Sequence, residues 1–114
     1  MSDCIFCKII EKKLPAKIMY EDEQALGFED VNPQAPVHIL VIPKRHVSTI
    51  LDTGKEDSAL MSHLIEICKN IARDKGIAER GFRIVTNCNP ESGQTVYHLH
   101  LHLLGGRQMH WPPG

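Results

Sequence analysis

The order of apolar and polar positions along the chain predicts two helices and five short strands. Apolar residues at helical spacing indicate a short helix over residues 4–12, which Ser2 or Asp3 can cap and Pro15 ends. The same spacing indicates a long amphipathic helix over residues 56–75. β-Branched or alternating runs indicate strands at residues 17–21, 25–29, 38–42, 82–86 and 96–104. These elements favour an α+β fold with a mostly antiparallel five-stranded sheet.

Length and charge narrow the class of protein. The chain has 114 residues without an internal repeat or linker, which predicts a single domain over residues 1–114. Thirteen basic residues face 14 acidic ones, and this balance argues against a nucleic-acid partner. No apolar run approaches the ~18 residues of a membrane span, and no basic segment precedes an apolar stretch as in a signal peptide. We therefore expect a cytoplasmic protein that does not enter a membrane.

Three of the seven histidines alternate with leucine in the last predicted strand. Because strand side chains alternate between faces, the imidazoles share one face and the leucines the other, which can pack on the long helix. The histidines are His98, His100 and His102. A solvated face or a purification artefact is the plain interpretation, although tags are neither internal nor interleaved with leucine. The chemical alternatives are a metal site and a site where a neutral imidazole attacks an electrophile.

A polar loop at residues 89–95 leads directly into the histidine segment. It is rich in amide and hydroxyl donors, so it can hold an anion such as phosphate. Taken by itself, the loop is more typical of an ordinary turn.

The four cysteines predict no disulfide, because the expected compartment is reducing. Cys68 lies in the apolar stripe of the long helix and is expected to be buried. Cys88 lies in a polar turn and suggests no partner. Cys4 and Cys7 form a Cys-x-x-Cys motif, which indicates a redox pair, half of a metal site or a coincidence.

The segment His-Leu-His-Leu-His-Leu-Leu at residues 98–104 resembles the signature of the histidine triad family. The likeness covers nearly the whole chain, including Phe6 and the segments at residues 15–18, 30–38, 40–44 and 105–114. The segment from Asp30 and the tail Gly-Gly-Arg-Gln-Met-His-Trp-Pro-Pro-Gly are similar to the Hint branch, the purine nucleoside phosphoramidate hydrolases.

The resemblance implies both an assembly and a reaction. It implies a histidine triad domain that forms a homodimer, in which two five-stranded sheets join into ten strands. It also implies a hydrolase that cleaves the P–N bond of adenosine or guanosine 5′-monophosphoramidates, AMP-lysine included, through a covalent nucleotidyl-histidine. The products are AMP or GMP. No cofactor is implied for catalysis, and the sequence has no carboxylate cluster suited to Mg²⁺.

Single residues take roles from the same resemblance. His100 matches the nucleophile, His102 a partner that contacts phosphate, and His98 and His38 the flanking site histidines. Thr95 completes the candidate catalytic set where many Hint proteins carry serine. The threonine keeps the hydroxyl, but its methyl group stiffens χ1 and narrows the pocket.

The candidate nucleotide contacts fall into three groups. Asp30 matches the acceptor of the ribose hydroxyls, although an Asp that starts a turn is the alternative. Trp111 matches an aromatic residue that reaches the partner subunit's site, although terminal residues often fray. The phosphate loop is matched by Asn87, Gly93, Gln94 and Thr95, with His100 and His102 beside it, and the base slot by Ile5, Phe6, Ile9, Phe28 and Leu40.

The cysteine motif gains companions from the resemblance. Related proteins with this motif bind Zn²⁺ through both cysteines, a histidine of the basic turn and the first triad histidine. Here these residues are Cys4, Cys7, His46 and His98, an ordinary tetrahedral ligand set. Such a zinc would be structural and would tie the short helix to the sheet. The alternative is a metal-free first turn of that helix.

Three other functions compete with this interpretation. A dinucleoside polyphosphate hydrolase fits the same fold, but the Hint-like tail disfavours it. A nucleotide-binding regulatory interaction module is compatible with an intact site. A zinc-dependent nucleic-acid binder is the weakest alternative, since the sequence shows no excess of basic residues.

Overall fold

A computed structural model describes residues 3–114 and has the expected α+β architecture. The helices are α1 (Ile5–Ile10) and α2 (Ser58–Asp74). The strands are β1 (Ile18–Glu21), β2 (Ala25–Glu29), β3 (Val37–Pro43), β4 (Phe82–Val85) and β5 (Leu101–Gly105). They form one antiparallel sheet in the order β1-β2-β3-β5-β4. Within the described part of the chain, no helix is long and apolar enough to cross a membrane.

Helix α2 covers one face of the sheet with its apolar stripe. Leu64, Ile67 and Cys68 of this stripe are buried. The leucines that alternate with the triad histidines, Leu99, Leu101 and Leu103, belong to the same core. The predicted packing of the leucine face on the long helix is therefore confirmed. The helix begins two residues later than predicted, because residues 55–57 form a 3₁₀ turn.

Helix α1 lies on the opposite face and is shorter than predicted. The Sγ of Cys4 caps it by accepting a hydrogen bond from the Cys7 amide at 3.3 Å, so the cap is not Asp3. The predicted Ser2 cap lies outside the described residues. Lys12 has a φ of 64° and turns the chain away, so the helix ends well before Pro15.

The last strand begins five residues later than the sequence pattern predicts. In the ladder between β3 and β5, Val41 pairs with Leu101, so continuation of the register would bring Pro43 opposite Leu99. Proline has no amide hydrogen to continue the ladder. The Leu99 amide donates instead to the carbonyl of Val47, at 2.6 Å. His98 and His100 therefore precede the paired strand, and His102 lies within it.

Candidate active site

A cavity of about 710 Å³ lies between α1 and the face of the sheet that α2 leaves free. Part of its wall is apolar, because α1 contributes Phe6 and Ile9 while β2 and β3 contribute Phe28 and Leu40. Another part is polar and includes Asp30, His38, Gly93, Thr95, His100 and His102. The cavity thus places an apolar slot beside a cluster of imidazoles.

Most of the residues predicted to bind nucleotide line this cavity. Among the described residues, the exceptions are Asn87, Gln94 and Trp111, which do not line the cavity. The Gln94 side chain is buried, accepts a hydrogen bond from the Asn89 amide and donates to the carbonyls of Ser48 and Val96. Its amide group therefore holds the loop in shape and does not face the cavity.

Trp111 lies apart from the cavity of its own chain, with 82% of its surface exposed. Three polar residues that line the cavity, Glu29, Asn32 and Gln34, were not predicted from the sequence. Gln34 stands between two prolines just before His38. The signal was present, because a loop held by two prolines presents its backbone groups in a fixed direction.

The proton on His100 is fixed by a backbone carbonyl. Nδ1 of His100 lies 2.7 Å from the carbonyl oxygen of His98. Because a carbonyl only accepts hydrogen bonds, Nδ1 carries the hydrogen and Nε2 keeps an unshared electron pair. Phe6 packs edge-on against the ring at 5.1 Å and limits its rotation. His100 therefore presents a nucleophilic nitrogen in the orientation that the fold imposes.

A backbone amide sets which nitrogen of His38 carries the hydrogen, and His38 in turn sets the protonation of His102. The Gln34 amide donates to Nδ1 of His38 at 3.0 Å, so the hydrogen of the neutral His38 ring is on Nε2. That nitrogen lies 2.9 Å from Nδ1 of His102 and donates to it. The hydrogen of His102 is then on Nε2, the nitrogen left for a ligand. Asp30 supports this arrangement with a carboxylate oxygen 3.4 Å from Nε2 of His38.

Burial keeps these imidazoles uncharged. It is the largest influence on His38, His100 and His102, and it lowers the pKa of each. The pKa of His102 falls to about 4, because the neighbouring His100 and His38 rings add to the effect of burial. The nearby Asp30 carboxylate opposes the shift but does not outweigh it. At neutral pH the site therefore pairs an electron-pair donor, His100, with a hydrogen-bond donor, His102.

A second cluster, composed of Cys4, Cys7, His46 and His98, lies at the end of α1. Nδ1 of His98 is 3.3 Å from Sγ of Cys4, 3.6 Å from Sγ of Cys7 and 3.2 Å from Nδ1 of His46. Nδ1 of His46 is 3.4 Å from Sγ of Cys7. A tetrahedral zinc site has edges of about 3.3 Å between nitrogens and about 3.6 Å between nitrogen and sulfur. The four side chains can therefore hold a metal of this size.

The chemistry of the donors fits a cation as well. Nε2 of His98 donates to the carbonyl of Pro43 at 2.8 Å, so Nδ1 faces the cluster with a free electron pair. Burial and the adjacent Cys4 sulfur raise the pKa of Cys7 to about 11. A thiol whose ionisation is opposed by burial and by a neighbouring sulfur is the environment that a bound cation relieves.

The chain belongs to the HIT domain family, which its sequence matches over residues 11–109. It is 55% identical to an uncharacterized HIT-like protein of Synechococcus elongatus, over 98% of this chain and 97% of that protein. A HIT family hydrolase of Legionella pneumophila superposes with a TM-score of 0.97 and 50% identity, over 98% of this chain and 100% of that one.

A more distant structure, the histidine triad nucleotide-binding protein of Candida albicans, has a TM-score of 0.83 and 27% identity. The superposition covers 96% of this chain and 83% of the Candida albicans chain. The family resemblance in the sequence is therefore confirmed at the level of the HIT family. The hydrolases among the similar structures agree with a hydrolase of the HIT type.

The half-buried His102 ring makes stability depend on pH. An unfolded histidine has a pKa near 6.5, whereas that of folded His102 is about 4, so the unfolded chain binds a proton first. We expect His102 to stay neutral at pH 5.5 in an NMR titration. Its contribution to stability should be intact above about pH 6.5 and lost progressively toward pH 4. A midpoint for His102 at 6.5 or above would contradict the assignment.

Proposed function

We propose that the protein hydrolyses the P–N bond of purine nucleoside 5′-phosphoramidates in the manner of the Hint branch. The observation that carries the proposal is the opposite protonation of two imidazoles in one cavity. His100 offers an electron pair at Nε2, and His102 offers a hydrogen at Nε2. Phosphoryl transfer requires both, a nucleophile that attacks phosphorus and a hydrogen-bond donor to the phosphoryl oxygens.

The cavity supports a nucleotide in one orientation. The apolar slot of Ile5, Phe6, Ile9, Phe28 and Leu40 accepts a purine through stacking and burial. Asp30 lines the same cavity beside His38, and its carboxylate can accept the ribose hydroxyls. The phosphoryl group then meets Gly93, Thr95 and the two histidines. The volume of about 710 Å³ is within the usual range for small-molecule sites.

The reaction proceeds in two displacements. Nε2 of His100 attacks phosphorus, the P–N bond to the leaving group breaks, and the leaving nitrogen takes its electron pair and a proton to depart as an amine. The Thr95 hydroxyl at the cavity wall relays that proton from solvent. Water then attacks phosphorus and loses a proton to solvent by way of Thr95, while the bond to His100 breaks and its electron pair returns to Nε2, which releases the nucleoside monophosphate. Throughout, His102 stabilises the negative charge on the phosphoryl oxygens.

The proposal includes a structural zinc at Cys4, Cys7, His46 and His98. Its support is the donor spacing and the free electron pair of His98 described above. Helix α1 has only six residues, too few for a helix to be stable by itself. A metal held by these four residues would tie that helix to the sheet, because the two histidines lie outside the helix. It thereby holds the wall of the base slot, since Ile5, Phe6 and Ile9 are on the same helix.

A homodimer completes the proposal. Strand β4 is an edge of the sheet, and pairing with the same strand of a second copy would produce ten strands. Ile65 on α2 is an exposed apolar residue that such an interface would cover. The exposed indole of Trp111 loses its contact with water if the tail docks near the partner subunit's site. Asn87 and the cytoplasmic location remain predictions from the sequence.

The nucleophile is tested by the substitution His100→Ala. Release of AMP from adenosine 5′-phosphoramidate should fall by several orders of magnitude, because the other imidazoles among the described residues of the cavity have their unprotonated nitrogens engaged in hydrogen bonds. Binding of adenosine should stay within about threefold, since the base slot is unchanged. His63→Gln serves as the control, because His63 lies on α2 and binds Asp22. Comparison with a diadenosine polyphosphate substrate separates the proposed activity from the rival hydrolase.

Two results would contradict the proposal, one for the nucleophile and one for the substrate. One is a trapped nucleotidyl adduct on any other residue, found by mass spectrometry of enzyme quenched in alkali, where a phosphorus–nitrogen bond to histidine survives. The other is faster release of AMP from the diadenosine polyphosphate than from the phosphoramidate, which would favour the rival activity.

The metal is tested by chelation and by Cys4→Ser. The purified protein should carry about one zinc per chain. Its removal should lower the melting temperature by more than about 5 °C and weaken AMP binding, while kcat changes little because no proposed chemical step uses the metal. Cys88→Ser is the matched control, since Cys88 is a cysteine outside the cluster. Metal-free protein whose melting temperature does not respond to added zinc would refute the site.

A further inference from the structure

The C-terminal segment reaches back to the loop that precedes His38. Nε of Arg107 donates to the carbonyl oxygen of Gln34 at 2.9 Å, and this hydrogen bond is strengthened by the positive charge of the guanidinium. Gly106, with a φ of 92°, allows the close approach, because a Cβ atom there would lie 2.9 Å from the Pro36 ring. Arg107 thus anchors the turn between the two prolines from the outside.

The anchored residue is the one that sets the protonation of the site. The amide of Gln34 donates to Nδ1 of His38, and this contact forces the hydrogen of His38 onto Nε2. His38 passes the constraint to His102 through their 2.9 Å hydrogen bond. The chain of contacts therefore runs from Arg107 through Gln34 and His38 to the nitrogen of His102 that faces a ligand.

Loosening Gln34 would allow the opposite arrangement. If Nδ1 of His38 loses its donor, the hydrogen can move to that nitrogen, and Nε2 of His38 becomes an acceptor. His102 must then donate through Nδ1, which leaves an electron pair on the Nε2 that faces the phosphoryl oxygens. The Asp30 carboxylate, 3.4 Å from Nε2 of His38, opposes this reversal, so a mixture of the two forms is expected.

We propose that Arg107 is a positioning residue that keeps His102 in the form that donates to phosphate, acting through the Gln34 backbone and His38. The kinetic consequence rests on the proposed function, whereas the protonation and binding consequences do not. Arg107 itself is exposed and acts from outside the cavity, so its removal should leave the fold and the base slot intact.

The test compares Arg107→Ala and Arg107→Lys with Arg83→Ala. Arg83 is the matched control, because it donates to the carbonyl of His110 and so also tethers the tail, without a contact to Gln34. Nitrogen-15 NMR of the imidazoles reports which nitrogen of His102 carries the hydrogen. Calorimetry with AMP and with adenosine separates the phosphate contact from the base slot.

For Arg107→Ala we expect a mixture of protonated Nδ1 and Nε2 at His102 and AMP affinity about fivefold weaker, with adenosine affinity unchanged. Turnover of adenosine 5′-phosphoramidate should show kcat lowered about tenfold and KM raised less, since a donor to the phosphoryl oxygens matters most in the transition state. Arg107→Lys should recover most of these losses, and Arg83→Ala should behave as wild type.

Wild-type His102 protonation and AMP affinity in Arg107→Ala would overturn the proposal. Losses of AMP affinity and kcat in Arg83→Ala equal to those in Arg107→Ala would overturn the proposal too, because the effect would then come from a loosened tail. If the wild-type enzyme does not cleave phosphoramidates, the proposed function fails, and the NMR and AMP measurements still decide the role of Arg107.

Discussion

Backbone groups that accept or donate, but never both, determine how each imidazole of the site is protonated. The carbonyls of Pro43 and His98 accept from His98 and His100, and the amide of Gln34 donates to His38. His102 then follows from its contact with His38. Since these backbone groups belong to the fold, the chemistry of the site is set before any substrate arrives.

Burial keeps these protonation states unchanged at neutral pH. The low pKa of His102 and the lowered pKa values of His38 and His100 keep the rings neutral, so no proton from solvent reverses their roles at neutral pH. Helix α1 contributes to the same enclosure, because Phe6 packs on His98, His100 and Phe28. Helix α1, which contributes Cys7 to the cluster of two cysteines and two histidines, therefore also forms a wall of the base slot.

The sequence predicted those parts of the structure that depend on repeated patterns. The apolar stripe of α2 and the alternation of leucine with histidine each repeat a local preference, and both agree with the structure. The pattern was wrong where a single contact decides. The start of β5 depends on Pro43 across the ladder, and the cap of α1 depends on a thiol. The roles of Gln34 and Arg107 arise only when distant segments meet.

Neutron diffraction of the deuterated wild-type protein at neutral pH would show whether backbone contacts place the hydrogens of the site imidazoles. We expect deuterium on Nδ1 of His100 and on Nε2 of His38, His98 and His102, and an unprotonated Nε2 on His100. Deuterium on Nε2 of His100, or its absence from Nε2 of His102, would contradict this assignment.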